Sequence, residues 1–270
     1  MRIVDCKQGT PEWFAKRVGR PTASRFPRII TEKKGGYSSA APKFIAELLG
    51  EQYHVAGLRS QAEEAAELGE AELVAHLTLV ADTFAGFDAW DGNAWTDRGT
   101  DLEPTAASWY ELTTGLDARA VGMVERDDGL AACSPDRLVG DDGVLEIKNL
   151  GAKHHWHVLT GVEPMPATRQ QVQSTLWITE RDWCDQLAYS PAFPPVLLRT
   201  PRDEPYIAQI AACFDRFTTE MERTRHVMDA LGPRGRRDDW LERLLEASVA
   251  TQADAAGSGA VVPPQDDEGA

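Results

Sequence analysis

Two acidic residues and a lysine are spaced so that a β-hairpin would bring them together. They lie in the segment SPDRLVGDDGVLEIK, where Asp136 ends one strand-like run and Glu146 and Lys148 belong to the next. Residues i and i+2 of a strand project to the same face, so Glu146 and Lys148 share a face while Leu145 and Ile147 point into the core. The GDDG turn folds the two runs together. We therefore expect Asp136 to reach the same place as Glu146.

Neighbouring carboxylates are the ligands that Mg²⁺ takes, because this hard cation prefers oxygen. A phosphodiester resists hydrolysis because its negative charge repels hydroxide, and a bound metal ion neutralises that charge and generates the nucleophile. Lys148 would orient the attacking water, lower its pKa or contact the scissile phosphate. The pattern therefore favours metal-dependent phosphodiester hydrolysis. The alternative interpretation is a hairpin with an aspartate, a glutamate and a lysine on its surface.

The charge of the chain is unevenly distributed. The 270 residues carry 28 basic and 43 acidic side chains, a formal net charge of −15, which at first argues against a polyanionic partner. Residues 1–50 nevertheless hold 10 basic against 4 acidic side chains, whereas residues 51–150 hold 6 against 21. The N-terminal segment can therefore meet phosphates while the rest of the surface repels them. A solvated basic face is the alternative.

Several protein classes find no support in the sequence. No apolar run approaches the roughly 18 residues of a membrane span, and the beginning of the chain lacks the apolar core of a secretory signal, so we expect an intracellular protein without a membrane partner. The four cysteines lie far apart and predict reduced thiols. No Walker A, G-x-G-x-x-G or G-x-S-x-G motif occurs. The histidines of HHWH, residues 154–157, leave zinc binding as an alternative to a surface cluster.

Periodicity and turn residues predict an α/β domain with helices flanking a central mixed sheet. Short apolar runs between residues 118 and 148 alternate with DDG and GDDG turns and predict a β-meander. Further strands are predicted over 183–189 and 196–200, and helices over 11–17, 42–49, 61–79, 103–112, 170–179 and 206–231.

The predicted organisation is a single domain over residues 1–247 and a flexible acidic tail over 248–270. Within the domain, the expected parts are a basic helical part to about residue 50, an acidic helical insert over about 51–97, a catalytic core over about 98–200 and C-terminal helices over about 206–247.

Several segments accompany the hairpin in a characteristic order. They are QGTPEWFAKRVGRPTASR near the start, RGTDLEPTAASWYELTTG in the middle, ACSPDRL and LEIKN at the hairpin, and QQVQSTLWIT after it. With this order and spacing, the chain from about residue 8 to residue 200 resembles the lambda-type exonucleases of phage recombination. These are also called the YqaJ-like viral recombinase nucleases and belong to the PD-(D/E)xK superfamily. The resemblance implies a restriction-endonuclease-like core.

The resemblance also implies roles for individual residues. Asp136, Glu146 and the Ile147 carbonyl would bind Mg²⁺, with Glu103 as a further active-site carboxylate and metal ligand and Lys148 as the catalytic lysine. Two ions per site are implied, with Mn²⁺ as a possible substitute. A pocket for the terminal 5′-phosphate would consist of Arg17, Ser24, Ser134 and Gln171. Further DNA contacts would come from Arg20, Arg25, Arg137 and Gln173.

The activity implied is Mg²⁺-dependent 5′-to-3′ digestion of double-stranded DNA ends, which leaves 3′ overhangs. The implied partners are two further copies of the chain in a homotrimeric ring and a phage single-strand annealing protein, in the cytoplasm of a bacterial host. A structure- or sequence-specific endonuclease and a catalytically silent DNA-binding scaffold are the alternatives.

The sequence departs from the family pattern in three places. Arg137 stands where a glycine usually follows the aspartate of the PD motif, and Asn149-Leu150 stands where many relatives have Cys-Pro. The span from Ser24 to Glu103 is longer than expected, and the acidic helix over 61–79 accounts for the enlargement. These departures concern the path of the DNA and the contacts between subunits more than the chemistry.

Overall fold

The computed structural model describes residues 1–83 and 94–231. Two compact units are distinguished, residues 1–217 and residues 218–270, and all the predicted site residues belong to the first. The predicted tail over 248–270 and the predicted helical region beyond residue 231 lie outside the described residues, as do residues 84–93 of the predicted acidic insert.

The described chain contains both strands and helices. The strands are β1 (Arg2–Val4), β2 (Ala118–Ala120), β3 (Met123–Glu125), β4 (Ala132–Cys133), β5 (Arg137–Val139), β6 (Gly143–Asn149), β7 (Trp183–Tyr189) and β8 (Val196–Pro201). The helices are α1 (Pro11–Arg17), α2 (Ala41–Glu67), α3 (Ala71–Thr83), α4 (Ala94–Thr114), α5 (Ala152–Leu159), α6 (Arg169–Thr179) and α7 (Glu204–Leu231), with a 3₁₀ helix at Ala23–Arg28.

The central sheet has five strands in the order β2-β5-β6-β7-β8. It is mixed, because β6 and β7 are parallel while the other neighbours are antiparallel. Helix α4 packs on one face, where Tyr110, Val139, Leu145 and Leu187 are buried together. The predicted mixed sheet with flanking helices is therefore confirmed.

The predicted β-meander is wrong in its connections. Strands β3 and β4 do not belong to the central sheet. They form a separate antiparallel sheet with β1, in the order β1-β3-β4. The meander prediction followed local turn signals, but the hydrogen-bonding partner of β3 is Arg2–Val4, more than a hundred residues earlier. Only β5 and β6 remain as the hairpin that carries the predicted site.

The acidic region also divides differently from the prediction. The predicted helices over 42–49 and 61–79 are replaced by α2 and α3, which pack against each other. The break falls at Gly69, whose φ of +79° is a left-handed conformation that ends helices and favours glycine. Among the described residues, no helix combines the length and apolar character needed to cross a membrane.

Candidate active site

The hairpin of β5 and β6 brings Asp136 and Glu146 together. Its antiparallel register pairs Arg137 with Leu145, so one further step places Asp136 opposite Glu146. The Ile147 amide donates a hydrogen bond to Asp136 Oδ2 at 2.5 Å. This bond holds the carboxylate at the end of the strand, where its other oxygen is available to a ligand.

Lys148 and Gln171 converge on one oxygen of the buried Glu146. Lys148 Nζ donates to Glu146 Oε1 at 2.5 Å, and Gln171 Nε2 donates to the same oxygen at 2.8 Å. Gln171 comes from the first turn of α6, which begins at the N-cap Thr168. The structure therefore places Gln171, predicted for the phosphate pocket, on the carboxylate at the hairpin.

The electrostatics of this group favour an added cation. Burial raises the pKa of Asp136 well above its usual range, and the charge of Glu146 raises it further. Burial opposes the charged form of Lys148, but the charges of Glu146 and Asp136 outweigh that effect and raise the pKa of the lysine. Oxygen ligands with negative charge in excess are the donor set that Mg²⁺ prefers, so Asp136 and Glu146 fit a divalent ion.

Glu103 comes from α4 and is paired with Arg137. Arg137 Nη1 donates to Glu103 Oε1 at 2.5 Å and to the backbone carbonyl of Asp136 at 2.6 Å. Within residues 1–83 and 94–231, no three His, Cys, Asp or Glu side chains are grouped so that they could hold a metal ion. The third predicted carboxylate therefore lies near the other two but is bound to an arginine.

A second group of predicted residues forms around Arg17, at the end of α1. Arg17 donates to Ser134 Oγ at 3.4 Å and to Thr22 Oγ1 at 3.3 Å, and its guanidinium lies 4.1 Å from the centre of the Trp13 ring. Trp13 Nε1 also donates to Ser134 Oγ, at 2.9 Å. Because Ser134 Oγ accepts from both neighbours, its own hydroxyl hydrogen is directed elsewhere.

Arg17 differs from the basic residues beside it in having no acidic partner among the described residues. Arg20 pairs with Glu125, and Arg25 pairs with Glu51. Burial, followed by the charge of Arg25, lowers the pKa of Arg17 to about 10. Arg17 is therefore still charged at neutral pH and can bind an anion.

The loop after Arg17 is held by two residues of α2. Glu51 Oε2 accepts a hydrogen bond from the Gly19 amide at 2.8 Å, and Gln52 Nε2 donates to the Gly19 carbonyl at 3.0 Å. Gly19 has a left-handed φ of +62° and is buried. Both polar groups of one glycine are thus fixed to a single helix, which positions the chain that follows Arg17.

Two further predicted residues are placed outside these groups. Ser24 is exposed on the 3₁₀ helix. Gln173 is buried, where it donates to the Pro201 carbonyl at 2.9 Å and accepts from the Asp203 amide at 2.9 Å. Both ends of the Gln173 amide therefore bind the backbone, and its contact with DNA stays a prediction.

The histidines of α5 form a local cluster with a carboxylate. His154 Nδ1 and His157 Nδ1 contact the two oxygens of Glu163 at 3.2 and 2.8 Å, whereas His155 Nε2 contacts the Pro194 carbonyl at 2.8 Å. The part of the chain that the structure describes contains no group arranged as a metal centre here either.

Residues 12–182 match the model of the YqaJ-like viral recombinase domain. The chain belongs to this family. Because the match covers both Arg17 and the β5–β6 hairpin, the two groups described above are parts of one family domain. The predicted family is confirmed.

This YqaJ-like domain is similar in fold to solved structures of exonucleases. An alkaline exonuclease from Laribacter hongkongensis is 25% identical with a TM-score of 0.59, over 92% of this chain and 99% of that one. The same exonuclease in complex with dAMP gives a TM-score of 0.57 at 25% identity. A search of curated proteins gives no match. The predictions of a nuclease fold and of an enzyme are confirmed.

Sequence reasoning missed four residues that shape the YqaJ-like site. Trp13 donates to Ser134 as Arg17 does, and Thr22 accepts from Arg17, but a tryptophan and a threonine near a helix end are common core and capping residues. Glu51 and Gln52 act on Gly19 from more than thirty residues away. Only the sequence Val-Gly after Arg17 could have indicated a tightly held loop.

Proposed function

We propose that the protein is a Mg²⁺-dependent exonuclease that digests the 5′-ended strand of double-stranded DNA and leaves a 3′ overhang. The observation that carries this proposal is the short segment Ser134–Asp136. One end contacts Arg17, a partly buried charge without an acidic partner among the described residues, and the other end supplies the carboxylate opposite Glu146.

The short distance along the chain favours cleavage at a strand end. Two residues of extended chain span about 7 Å. A terminal phosphate bound by Arg17 and the Ser134 hydroxyl would therefore bring the first phosphodiesters of that strand to Asp136. Internal phosphodiesters have no such anchor, so the arrangement favours stepwise removal of nucleotides from a 5′-phosphorylated end.

Asp136, Glu146 and the Ile147 carbonyl are the proposed ligands of the metal. Bound Mg²⁺, or Mn²⁺ in its place, would neutralise the phosphodiester and supply the nucleophile, and we propose two ions per site with Glu103 as a ligand of the second. Gln171 and Lys148 hold Glu146 in position through its Oε1 atom. Lys148 also keeps an ammonium beside both carboxylates, where it can donate to the attacking water or to the scissile phosphate.

The test is digestion of a linear duplex that is labelled at the 5′ end in one sample and at the 3′ end in another. We expect Mg²⁺ to release labelled mononucleotide at once from the 5′-labelled duplex and to shorten the 3′-labelled strand progressively. EDTA should stop both reactions. Discrete internal fragments would instead indicate an endonuclease. A lack of digestion by wild-type protein, in Mg²⁺ or Mn²⁺, would leave only a DNA-binding scaffold.

The proposal extends to assembly and location. A homotrimeric ring would keep the enzyme on its DNA, a phage single-strand annealing protein would receive the 3′ overhang, and the host cytoplasm would supply the DNA. Family membership supports these points. Sedimentation of the full-length protein as a monomer at assay concentration would contradict the ring.

A further inference from the structure

We propose that Arg137 couples DNA binding to metal binding, because it holds Glu103 in the free protein and exchanges that carboxylate for a DNA phosphate. The exchange frees Glu103 to bind a divalent cation. This inference rests on the proposed function, since it assigns a positioning role to a residue beside the proposed metal ligands.

The contacts of Arg137 show that the guanidinium is only partly used. Nη1 makes both of its hydrogen bonds, one to Glu103 and one to the Asp136 carbonyl. Nε and Nη2 make no hydrogen bond to any residue that the structure describes. A planar guanidinium has five donors and binds phosphate through pairs of them, so Arg137 has donors left for a phosphate.

The sheet explains why one arginine can reach both sides of the site. Arg137 lies opposite Leu145 and two residues before Val139, and both of those pack against α4, so Arg137 projects toward Glu103 on that helix. Asp136 is the preceding residue and faces the other way, toward Glu146. Arg137 therefore stands at the start of β5, with its side chain on the α4 face and with the Asp136 carboxylate beside it on the other face.

The exposure of the pair allows the exchange. The side chain of Arg137 is 12% exposed and that of Glu103 is 28% exposed. Both are enclosed enough for the ion pair to hold without a ligand. Neither is sealed from solvent, so a phosphate and a cation can each approach one partner of the pair.

The charge balance favours the exchange only when both ligands are present. A phosphate alone would take the guanidinium from Glu103 and leave that carboxylate unpaired close to Asp136, whose backbone carbonyl accepts from the same arginine. A cation alone would have to displace the guanidinium from Glu103. Phosphate and cation together pair both charges, which makes their binding cooperative.

Titration calorimetry with Mn²⁺, on full-length protein without DNA, tests the first half. We expect Arg137→Gln to bind Mn²⁺ about tenfold more tightly than wild type, in line with the loss of a charged hydrogen bond. In a Glu103→Gln background the same substitution should leave the affinity for Mn²⁺ unchanged. Arg119→Gln, an exposed arginine on the neighbouring strand β2, controls for the loss of a positive charge. An equal gain in all three comparisons, or none in Arg137→Gln, would overturn the inference.

Binding of a 5′-phosphorylated duplex in EDTA tests the second half by fluorescence anisotropy. We expect Glu103→Gln to bind DNA several-fold more tightly than wild type, because Arg137 is released, and the double variant to lose that gain. A gain that persists in the double variant would show a general effect of negative charge and refute the exchange. Neither binding assay requires hydrolysis, so failure of the end-labelled digest would count against the proposed function and not against this coupling.

Discussion

The hairpin end and the Arg17 end of the site carry opposite charge imbalances. At the hairpin, Asp136 and Glu146 share one lysine, and burial raises the pKa of Asp136. At the other end, the partners of Arg17 among the described residues are two hydroxyls and an aromatic ring, and burial lowers its pKa to about 10. The first end lacks a cation and the second lacks an anion.

This difference is informative because the surrounding protein pairs its charges. Arg20, Arg25 and Arg28 lie in the same basic segment as Arg17, and each has a glutamate partner. A buried charge without a partner costs folding free energy, so it is expected where a ligand supplies the partner. Under the proposed function, the two imbalances are the positions that we assign to a metal ion and to a terminal phosphate.

Substitution at the hairpin end should have the largest effect. Asp136→Asn and Lys148→Ala are each expected to lower the rate of digestion by about 10³-fold, because they remove charge that stabilises the transition state. The measurement is the initial rate on a 5′-phosphorylated duplex at saturating Mg²⁺. Asp141→Asn, in the exposed turn of the same hairpin, should keep the wild-type rate. If Asp136→Asn digests DNA as fast as Asp141→Asn does, the hairpin is not the catalytic end.

Substitution at the Arg17 end should change substrate preference more than chemistry. Arg17→Ala is expected to remove about 1.5–3 kcal/mol of binding to a terminal phosphate, the range for charged hydrogen bonds. The ratio of rates on 5′-phosphorylated and dephosphorylated duplexes should fall about tenfold or more. Arg28→Ala, which removes an arginine already paired with Glu47, is the control. An unchanged ratio in Arg17→Ala would place the phosphate elsewhere.

The two ends also differ in how well the sequence predicts them. A hairpin turn separates Asp136 from Glu146, and Lys148 follows Glu146 by two residues on the same strand. Local rules therefore predict that these three side chains lie together. The isolation of Arg17 depends on where α2 directs its glutamates, and the pairing of Glu103 depends on how α4 packs on the sheet. These are tertiary contacts over 26 to 105 residues, which no local pattern contains.

The overall fold shows the same limit. Helices α1 and α6 and strand β7 are predicted closely because capping residues and alternation define their ends. The second sheet is missed because β1 is three residues long and pairs with a distant strand. The family resemblance implied Gln171 for the phosphate pocket and Gln173 for a DNA contact. In the structure Gln171 donates to Glu146 and Gln173 binds the backbone, and these contacts depend on tertiary packing.

A glycine at the Arg17 end provides a smaller test. Gly19→Ala would place a Cβ atom 2.0 Å from Cγ of Gln52, at a φ of +62° that disfavours side chains. We expect the free energy of unfolding to fall by about 1–2 kcal/mol and the preference for 5′-phosphate to fall several-fold. Gly115→Ala has the same kind of strain at φ +71° with open space around it. Gly115→Ala should lower stability without changing the preference for 5′-phosphate. If both variants lose that preference, the loss does not depend on the contact between Gly19 and Gln52.

The smallest expected effect is a pH dependence of stability at the hairpin end. An aspartate whose pKa is raised by folding binds more protons in the folded state than in the unfolded state, above the unfolded pKa of about 3.9. The metal-free wild type should therefore lose stability relative to Asp136→Asn as the pH rises through that window, up to the raised pKa of Asp136.

The measurement is thermal unfolding of both proteins in EDTA at several pH values from 5 to 9. We expect the Tm of Asp136→Asn to exceed that of wild type by an amount that grows with pH and reaches a few degrees, equivalent to about 1 kcal/mol. Mg²⁺ should reduce the difference, because it favours the ionised carboxylate only in wild type. A difference that stays constant from pH 5 to 9 would mean that Asp136 ionises in the folded protein as it does in the unfolded chain. The hairpin end would then lack the charge imbalance that distinguishes it from Arg20 and Arg25, whose charges are already paired.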